Sequence, residues 1–140
     1  MNDSPFFEPS ADHDAIAQQV VDSAFAVHSD LGPGLLESVY EQCLACELEA
    51  RGIKFRRQVA VPIVYRGMQT DAGFRMDMVV GGLVVVEIKA VETMLPIHEA
   101  QLLTYLKLGG FTLGLLINFN VPRLKHGVRR LVCSHGTAAG

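Results

Sequence analysis

The stretch from Gly73 to Ala90, GFRMDMVVGGLVVVEIKA, decides how this chain folds. Two runs rich in valine flank the pair Gly81-Gly82, which is typical of two antiparallel strands joined by a tight turn. Residues 83–86 are apolar at every position, which predicts a strand that is buried on both faces. We therefore expect a hairpin whose second strand lies in the middle of a sheet.

The register of this hairpin depends on the length of its turn. A two-residue turn would place Asp77 opposite Val86, and therefore on the other face from Glu87. A three-residue turn over residues 81–83 places Asp77 directly opposite Glu87, with their Cβ atoms about 5 Å apart. We prefer the three-residue turn because it separates apolar from charged side chains. The expected apolar face holds Phe74, Met76, Met78, Val80, Val84, Val86 and Ile88, and the expected charged face holds Arg75, Asp77, Glu87 and Lys89.

The charged face carries the chemistry that the sequence suggests. Lys89 follows Glu87 by two residues, so it shares the same face at about 6.6 Å along the strand. Two carboxylates as close as Asp77 and Glu87 repel each other unless a cation lies between them, and the candidates are Lys89, Arg75 and a divalent ion. Oxygen ligands without a nearby His or Cys favour magnesium or manganese over zinc. The alternative is a charge network that serves only the structure.

The rest of the chain extends this hairpin into an α/β fold. Apolar positions at helical spacing predict one helix from about Asp12 to the Gly32-Pro33-Gly34 segment and a second helix over Leu35–Ala50. Pro62 in the segment Gln58–Tyr65 predicts an edge strand. The remaining predicted elements are a helix over Pro96–Leu108, a strand over Phe111–Phe119 covered on both faces, and an edge strand over Gly127–Val132. The order α-α-β-β-β-α-β, with that last edge strand, predicts a mixed β-sheet flanked by helices.

Length and composition indicate one globular domain. The chain has 140 residues, of which 49% are hydrophobic and 19% charged, and this composition excludes a disordered protein. We expect a single domain over residues 12–133, a flexible arm over residues 1–11 and a flexible tail over residues 134–140. No apolar run approaches the roughly 18 residues of a membrane span, and the first residues do not resemble a signal peptide, so we expect a cytoplasmic protein without a membrane partner.

The two halves of the chain differ in charge. Residues 1–49 contain ten acidic residues and no Lys or Arg, whereas residues 50–140 have a local balance of +7. Two basic clusters, within residues 51–57 and 123–130, offer a docking side for a polyanion, and the alternative is that they are solvated strand ends. The candidate nucleic-acid contacts are Arg75, Lys54, Arg56, Arg57, Arg123 and Lys125.

Several motifs occur together in a recognisable order. The segment GLLESVY at residues 34–40 has the spacing GxxExxY, and it follows His28 and the LGPG segment at residues 31–34. It precedes GFRMD at 73–77, EIK at 87–89, HEAQ at 98–101 and GLLINF at 114–119. Over about Val27 to Val132 the chain resembles the GxxExxY protein family, a branch of the PD-(D/E)XK nuclease superfamily.

The resemblance implies a restriction-endonuclease-like core and a divalent-metal-dependent nuclease that hydrolyses DNA or RNA phosphodiester bonds. It implies that Asp77 and Glu87 hold Mg²⁺ or Mn²⁺, with the carbonyl of Ile88 as a further ligand, and that Lys89 orients the attacking water. Glu37 resembles the additional acid, and metal ligand, on an N-terminal helix of the exonuclease-like branch. Gln101 and Tyr105 resemble the QxxxY motif of that branch. The limited area of a lone domain of this size favours a homodimer or a partner protein.

Other interpretations of these residues stay open at this stage. The chain is alternatively a non-catalytic nucleic-acid-binding or partner-binding module, or a thiol redox protein that uses Cys43 and Cys46. Tyr40 and Tyr105 are alternatively core residues with hydrogen-bonded hydroxyl groups. His28 and His98 are more typical of helix ends than of metal ligands. In the third helix we expect Gln101 and Tyr105 to face the carboxylates while Ala100, Leu103 and Leu106 pack.

Overall fold

The computed structural model describes residues 8–134 and contains the predicted α/β arrangement. Three α-helices and five strands follow one another in nearly the predicted order, with a short 3₁₀ helix before the last strand. They are α1 (Ala11–Leu31), α2 (Glu37–Ala50), β1 (Phe55–Tyr65), β2 (Met68–Val80), β3 (Val84–Lys89), α3 (Pro96–Gly109), β4 (Leu113–Asn118), the 3₁₀ helix (Leu124–His126) and β5 (Val128–Val132).

The helix boundaries follow from local chemistry. Ser10 caps α1, because its hydroxyl accepts the backbone N–H of His13 at 3.3 Å. Gly32 ends α1 with a φ of 69°, a conformation that favours glycine. Pro96 starts α3 at a position where its missing N–H costs no helical hydrogen bond. No helix within residues 8–134 has both the length and the apolar character needed to cross a membrane.

The predicted terminal segments fall mostly beyond the described part of the chain. Of the expected arm, residues 1–7 lie outside the described residues, and α1 begins at Ala11. Of the expected tail, residues 135–140 lie outside them. The predicted domain boundaries therefore stay predictions.

The strands form one mixed sheet in the order β1-β2-β3-β4-β5. The neighbours β3 and β4 are parallel and are connected through α3, whereas the other neighbouring pairs are antiparallel. The first and last strands lie at the edges, as Pro62 and the terminal position predict. Every residue of β4 is buried, and so is every residue of β3 except Lys89, as expected for central strands covered on both faces.

Helices cover both faces of the sheet. The larger core lies between the sheet and the pair α1 and α2, and it includes Val20, Leu44 and Ile88. The smaller core lies between the sheet and α3, and it includes Leu102, Leu106 and Leu116. The end of β3 therefore comes to lie between two packed layers, and the charged residues at that end are largely removed from solvent.

The register of β2 against β3 confirms the three-residue turn. Val80 pairs with Val84, and Met78 pairs with Val86. The turn between them is built on Gly81 and Gly82, which have φ angles of 62° and 69°. The same register, continued by one residue, brings Asp77 opposite Glu87.

The expected apolar face is wrong for Phe74 and Met76. Both lie in the α3 core, whereas Met78 lies in the core formed with α1 and α2. The cause is a break at one cross-strand pair, because Gln58 has a φ of 51° and is missing from the register between Arg57↔Met78 and Val59↔Met76. Beyond this break the side chains of β1 and β2 exchange faces, which a sequence pattern of period two does not reveal.

The first two strands are also longer than predicted. The β1 strand begins at Phe55 instead of Gln58, and β2 begins at Met68 instead of Gly73. The additional residues of β2 are mostly polar and lack alternation, so no pattern identified them. Antiparallel pairing with β1 makes them a strand.

Candidate functional site

The carboxylates of Asp77, within β2, and Glu87, near the end of β3, are each hydrogen-bonded to the backbone of the opposite strand. The backbone N–H of Asp77 donates to Oε2 of Glu87 at 2.7 Å. The backbone N–H of Ile88 donates to Oδ2 of Asp77 at 2.9 Å. Each carboxylate thus accepts a hydrogen bond from the opposite strand, beyond the last residue pair of the β2–β3 ladder. The two side chains are held side by side, as the three-residue turn predicts.

This pair is electrostatically unfavourable on its own. Burial and, to a smaller extent, the nearby carboxylate of Asp77 together raise the pKa of Glu87 to about 8. Burial also raises the pKa of Asp77, against the lowering effect of the Ile88 N–H. Lys89 lowers the pKa of both groups. The site therefore has a deficit of positive charge, which a bound cation relieves.

Lys89 is the last residue of β3, and the chain around it is fixed on both sides. Its carbonyl accepts the N–H of Phe119 at 2.9 Å. Asn118, its neighbour on β4, is buried, and its side chain accepts the N–H of Val91 and donates to the carbonyl of the same residue, at 3.1 and 2.9 Å. Asn118 therefore fixes the path of the chain as it leaves the site, a role that sequence reasoning missed.

Glu37 lies at the first turn of α2 and contacts the chain just after Lys89. Its Oε2 accepts the N–H of Ala90 at 3.2 Å, and its side chain is exposed. This contact ties the start of α2 to the end of β3. The additional assignment of Glu37 as a metal ligand stays a prediction.

Tyr40 shows why the spacing GxxExxY suits this place. Its ring is fully buried and stacks on Phe119 with ring centroids 4.5 Å apart. Its hydroxyl donates to the carbonyl of Gly32 at 2.6 Å and accepts the N–H of Leu35 at 3.1 Å. Tyr40 is thus a core residue that holds the turn before α2, and this turn positions Glu37.

Glu41 is a second acid of α2 that sequence reasoning missed. It is 7% exposed, and its charge raises the pKa of both Asp77 and Glu87. Arg57 donates to its Oε2 at 2.9 Å and Gln58 donates to its Oε1 at 2.8 Å. The available signal was helical spacing, because Glu41 lies one turn after Glu37 and beside the buried Tyr40.

Helix α3 carries two of the predicted site residues, Gln101 and Tyr105. Glu87 and Asp77 raise the pKa of Tyr105, after the larger effect of burial, so its hydroxyl lies within their electrostatic range. Gln101 is exposed, and its side chain forms no hydrogen bond with any residue in the described range 8–134. The expected packing face is wrong in part, because Leu102 and Leu106 are buried whereas Ala100 and Leu103 are exposed. The helix is rotated so that Tyr105 stacks on Phe74 at 4.4 Å.

The histidines and cysteines have structural surroundings. His28 is buried, and its Nε2 donates to the carbonyl of Val121 at 2.8 Å. Nδ1 of His98 accepts the N–H of Leu95 at 3.0 Å at the start of α3. Cys43 packs partly buried against the larger core and Cys46 is exposed, and both thiols are free.

Comparison with known families identifies the domain. The family model of the PD-(D/E)XK nuclease superfamily matches residues 14–131, which includes every element from α1 to β5 in whole or nearly so. The chain belongs to the PD-(D/E)XK nuclease superfamily. No curated protein and no solved structure matches the chain.

In this nuclease-superfamily domain, about half of the basic residues in the two clusters form ion pairs with acidic residues of the same domain. Within residues 8–134, ion pairs join Arg51 to Glu47, Arg57 to Glu41, Arg129 to Glu99 and Arg130 to Asp14. The other members, Lys54, Arg56, Arg123 and Lys125, are exposed, as is Arg75. The charge available to a polyanion is therefore smaller than the sequence balance suggests.

The exposed cations lie at two different ends of the sheet. Arg75 lies two residues before Asp77, and Arg123 and Lys125 lie on the loop that leaves β4 at the end where Lys89 lies. Lys54 lies at the opposite end, because its carbonyl accepts the N–H of Gly81. A concavity of about 690 Å³ at that end is lined by Lys54 and Arg56 and contains neither carboxylate of the pair.

The carboxylate oxygens of Asp77 and Glu87 fit a hard divalent cation. Within the described part of the chain, no group of three or more His, Cys, Asp or Glu side chains is arranged to hold a metal ion. The half-buried Asp77 and the buried Glu87 remain as a pair of oxygen donors with raised pKa values. Magnesium commonly binds to one or two carboxylates and keeps several waters, so this donor pair fits Mg²⁺ or Mn²⁺.

Proposed function

We propose that this protein is a divalent-metal-dependent nuclease that hydrolyses DNA or RNA phosphodiester bonds at the site of Asp77, Glu87 and Lys89. One observation carries the proposal: a buried and a half-buried carboxylate, Glu87 and Asp77, each accept a backbone N–H from the opposite strand, next to a lysine at the end of a central strand. In a domain of the PD-(D/E)XK nuclease superfamily, this is the arrangement that favours phosphodiester chemistry.

Asp77 and Glu87 would hold Mg²⁺ or Mn²⁺, and waters and substrate phosphates would complete the coordination. When bound, such an ion polarises a phosphoryl oxygen and lowers the pKa of water bound to it. Glu41 adds a third negative charge on the side of α2, held in place by Arg57 and Gln58. We assign Glu41 to the electrostatics of the site and Glu37 to the positioning of the chain after Lys89.

Lys89 supplies a donor for the charge that develops on the phosphoryl group. Its backbone is fixed through Phe119, and the following residues are fixed through Asn118, so the direction in which its side chain leaves the strand is preorganised. A preorganised donor of this kind is typically worth about 100-fold or more in rate. Tyr105 and Gln101 complete the proposed site from α3, and Arg75, Arg123 and Lys125 are the proposed phosphate contacts nearest to it.

The first experiment is a calorimetric titration of manganese and magnesium into the purified protein. We expect roughly one or two ions to bind to the wild type, and we expect this binding to be lost in Asp77→Ala and Glu87→Ala. The matched control is Glu47→Gln, which removes an acid that is paired with Arg51 on the surface. If both site variants bind the ions as the wild type does, the metal assignment is wrong.

The second experiment measures cleavage of single-stranded and duplex DNA and RNA. We expect Lys89→Ala to lower the rate about 100-fold or more without loss of metal binding. Lys107→Ala, which removes an exposed lysine of α3, serves as the matched control and should cleave at the wild-type rate. Equal rates for Lys89→Ala and the control would exclude the proposed role of Lys89.

The second candidate function is a non-catalytic nucleic-acid-binding or partner-binding module that keeps the nuclease fold. It is favoured by the backbone hydrogen bonds of Asp77 and Glu87, which give both carboxylates a structural role. It predicts that no metal supports cleavage and that Lys89→Ala leaves binding and stability nearly unchanged. A cytoplasmic location, and a homodimer or a partner protein, stay predictions.

A further inference from the structure

The ribbon of β1 and β2 extends well beyond the rest of the sheet. We call residues 61–74 the β1–β2 arm. The last β2–β3 pair is Met78↔Val86, whereas β1 and β2 continue to pair as far as Tyr65↔Met68. The nine steps along the strand from Met68 to Asp77 correspond to roughly 30 Å at about 3.3 Å per residue. The arm thus leaves the sheet at the end where the carboxylate pair lies.

The arm has a defined conformation. Arg66 and Gly67 form its two-residue turn with φ angles of 53° and 80°, which is typical of a tight hairpin turn. Where the ladder shifts, the hydroxyl of Thr70 donates to the carbonyl of Ile63 at 3.0 Å. Gly73 lets the strands approach closely, because a Cβ atom there would lie 2.1 Å from the carbonyl oxygen of Val61. A well-formed ribbon of this kind presents its tip in a fixed direction.

The base of the arm is attached to the site through α3. Phe74 stacks on Tyr105 with ring centroids 4.4 Å apart and an interplanar angle of 2°. Tyr105 in turn lies within the electrostatic range of Asp77 and Glu87. The position of the arm is therefore set by the same residues that line the proposed active site.

The tip of the arm exposes an aromatic ring between apolar and cationic side chains. Val64, Tyr65 and Met68 are 63%, 65% and 62% exposed. Arg66 lies between Tyr65 and Met68, and within residues 8–134 neither Arg66 nor Arg75 is part of an ion pair. Proteins that hold single strands without sequence preference combine aromatic side chains, on which bases stack, with cations that follow the phosphates.

A groove lies along the arm, between the tip and the site. It has a volume of about 500 Å³ and is lined by residues 60–62 on β1 and by residues 69–75 on β2. Arg75 lies at its site end, two residues before Asp77, and Asp71 is the acid that lines it. A polymer bound at the carboxylates and leaving along the arm therefore meets Arg75 first and Tyr65 last.

We propose that the β1–β2 arm is a binding surface for single-stranded nucleic acid, on which Tyr65 stacks a base and Arg66 contacts a phosphate far from the bond that is cut. This inference rests on the proposed nuclease function and specifies its substrate as a strand long enough to reach the tip. At about 3.4 Å per nucleotide, the spacing within one strand of a stacked duplex, the distance along the arm corresponds to about nine nucleotides, and a more extended strand needs fewer.

The test compares strands that are long enough to reach the tip with strands that are not. Fluorescent single strands of DNA and RNA, of about four and about twenty nucleotides, are titrated with Lys89→Ala protein in magnesium so that cleavage does not interfere. We expect Tyr65→Ala to weaken binding of the long strand by about 5-fold to 100-fold, the usual range for one stacked base, and to leave the short strand unchanged. Tyr65→Phe keeps the ring and should retain the affinity.

Two further variants sharpen the result. Arg66→Ala should weaken binding of the long strand less than Tyr65→Ala does. It should also reduce the slope of log affinity against log salt concentration by about one. The matched control is Phe25→Ala, which removes a 41% exposed aromatic side chain from the acidic helix α1. This variant should bind both the long and the short strand with the same affinity as the protein without it.

The outcomes separate the arm from the proposed function. If Lys89→Ala protein binds the long strand and Tyr65→Ala has no effect, or affects both lengths equally, the arm proposal is wrong and the nuclease proposal stands. If no strand of either length binds, the nuclease proposal fails and the arm proposal fails with it. If Tyr65→Ala instead converts a dimer into a monomer in sedimentation without changing strand affinity, the arm is a contact between copies of this chain.

Discussion

The two ends of the β2–β3 pair are built from different kinds of hydrogen bond. Beside the Gly81 turn, Val80↔Val84 and Val79↔Val85 form a regular ladder whose apolar side chains are buried in the two cores. At the other end, Asp77 and Glu87 use their carboxylates to accept backbone N–H groups beyond the last ladder pair. Three residues along one strand separate a purely structural region from the candidate site.

This difference shows what each end tolerates. In the ladder, backbone groups satisfy one another, so a buried side chain there must be apolar. At the carboxylate end, backbone donors are supplied to the side chains, which lowers the cost of burying charge. These hydrogen bonds do not fully offset the cost of burying the two negative charges. The pKa of Glu87 is raised to about 8, and that of Asp77 is also raised. The comparison leads to three predictions.

The largest effect is expected for a carboxylate placed in the ladder. Val85 is fully buried and pairs with Val79 on one side and Gly114 on the other, so no backbone donor is available to an acid there. We expect Val85→Asp to lower the free energy of unfolding by about 4 kcal/mol at neutral pH, measured by urea unfolding. The control Val132→Asp, at an exposed position of the edge strand β5, should change it by at most about 0.5 kcal/mol. Wild-type stability of Val85→Asp would contradict the comparison.

A smaller change in the free energy of unfolding is expected when the pH is varied. In the metal-free protein the folded pKa of Glu87 lies above its unfolded value, so its contribution to stability is fully present below about pH 4.5 and is lost as the pH rises through about 8. Between about pH 5 and pH 7 this group should lower the free energy of unfolding by about 2 kcal/mol. Glu87→Gln should remove that loss in urea unfolding measured at each pH.

Two controls accompany the pH profile. Glu47→Gln removes an acid that is paired with Arg51 on the surface, and its profile should run parallel to that of the wild type. Saturating manganese should flatten the wild-type profile and leave that of Glu87→Gln unchanged, because the cation keeps the carboxylate pair ionised in the folded state. A wild-type profile that matches Glu87→Gln without metal would show that Glu87 is already ionised when folded.

The smallest change in the free energy of unfolding is expected for substitutions at the break in the β1–β2 register. Gln58 combines a positive φ, which favours glycine, with an amide that donates to Glu41. Gln58→Ala keeps the unfavourable backbone conformation and loses the hydrogen bond, whereas Gln58→Gly loses the bond but relieves the backbone. We expect the glycine variant to be more stable than the alanine variant by about 1 kcal/mol in thermal or urea unfolding. The reverse order would show that the backbone at Gln58 is not strained.

Much of this architecture is readable from the sequence because the central strands are so apolar. The composition of residues 83–88 and 113–117 predicts strands that are buried on both faces. The separation of apolar from charged side chains favours the three-residue turn, which places Asp77 opposite Glu87. The motif GxxExxY located the helix that contacts the end of β3. The motifs did not reveal Glu41, because its helical spacing from Glu37 does not distinguish it from the other acids of the same helix.

The sequence by itself determined the element order, the two edge strands and the pairing of Asp77 with Glu87, because these follow from hydrophobic periodicity, from proline, and from residues close together in the chain. It also indicated the superfamily, through the resemblance of its motifs to a known family. Only the tertiary structure decided the exchange of faces at Gln58, the rotation of α3, the internal ion pairs of half the basic clusters and the length of the β1–β2 arm. Those features depend on contacts between residues that are distant in sequence, such as Glu41 with Arg57 and Phe74 with Tyr105. Local patterns do not record such contacts, because the energies that decide them arise only when the elements pack.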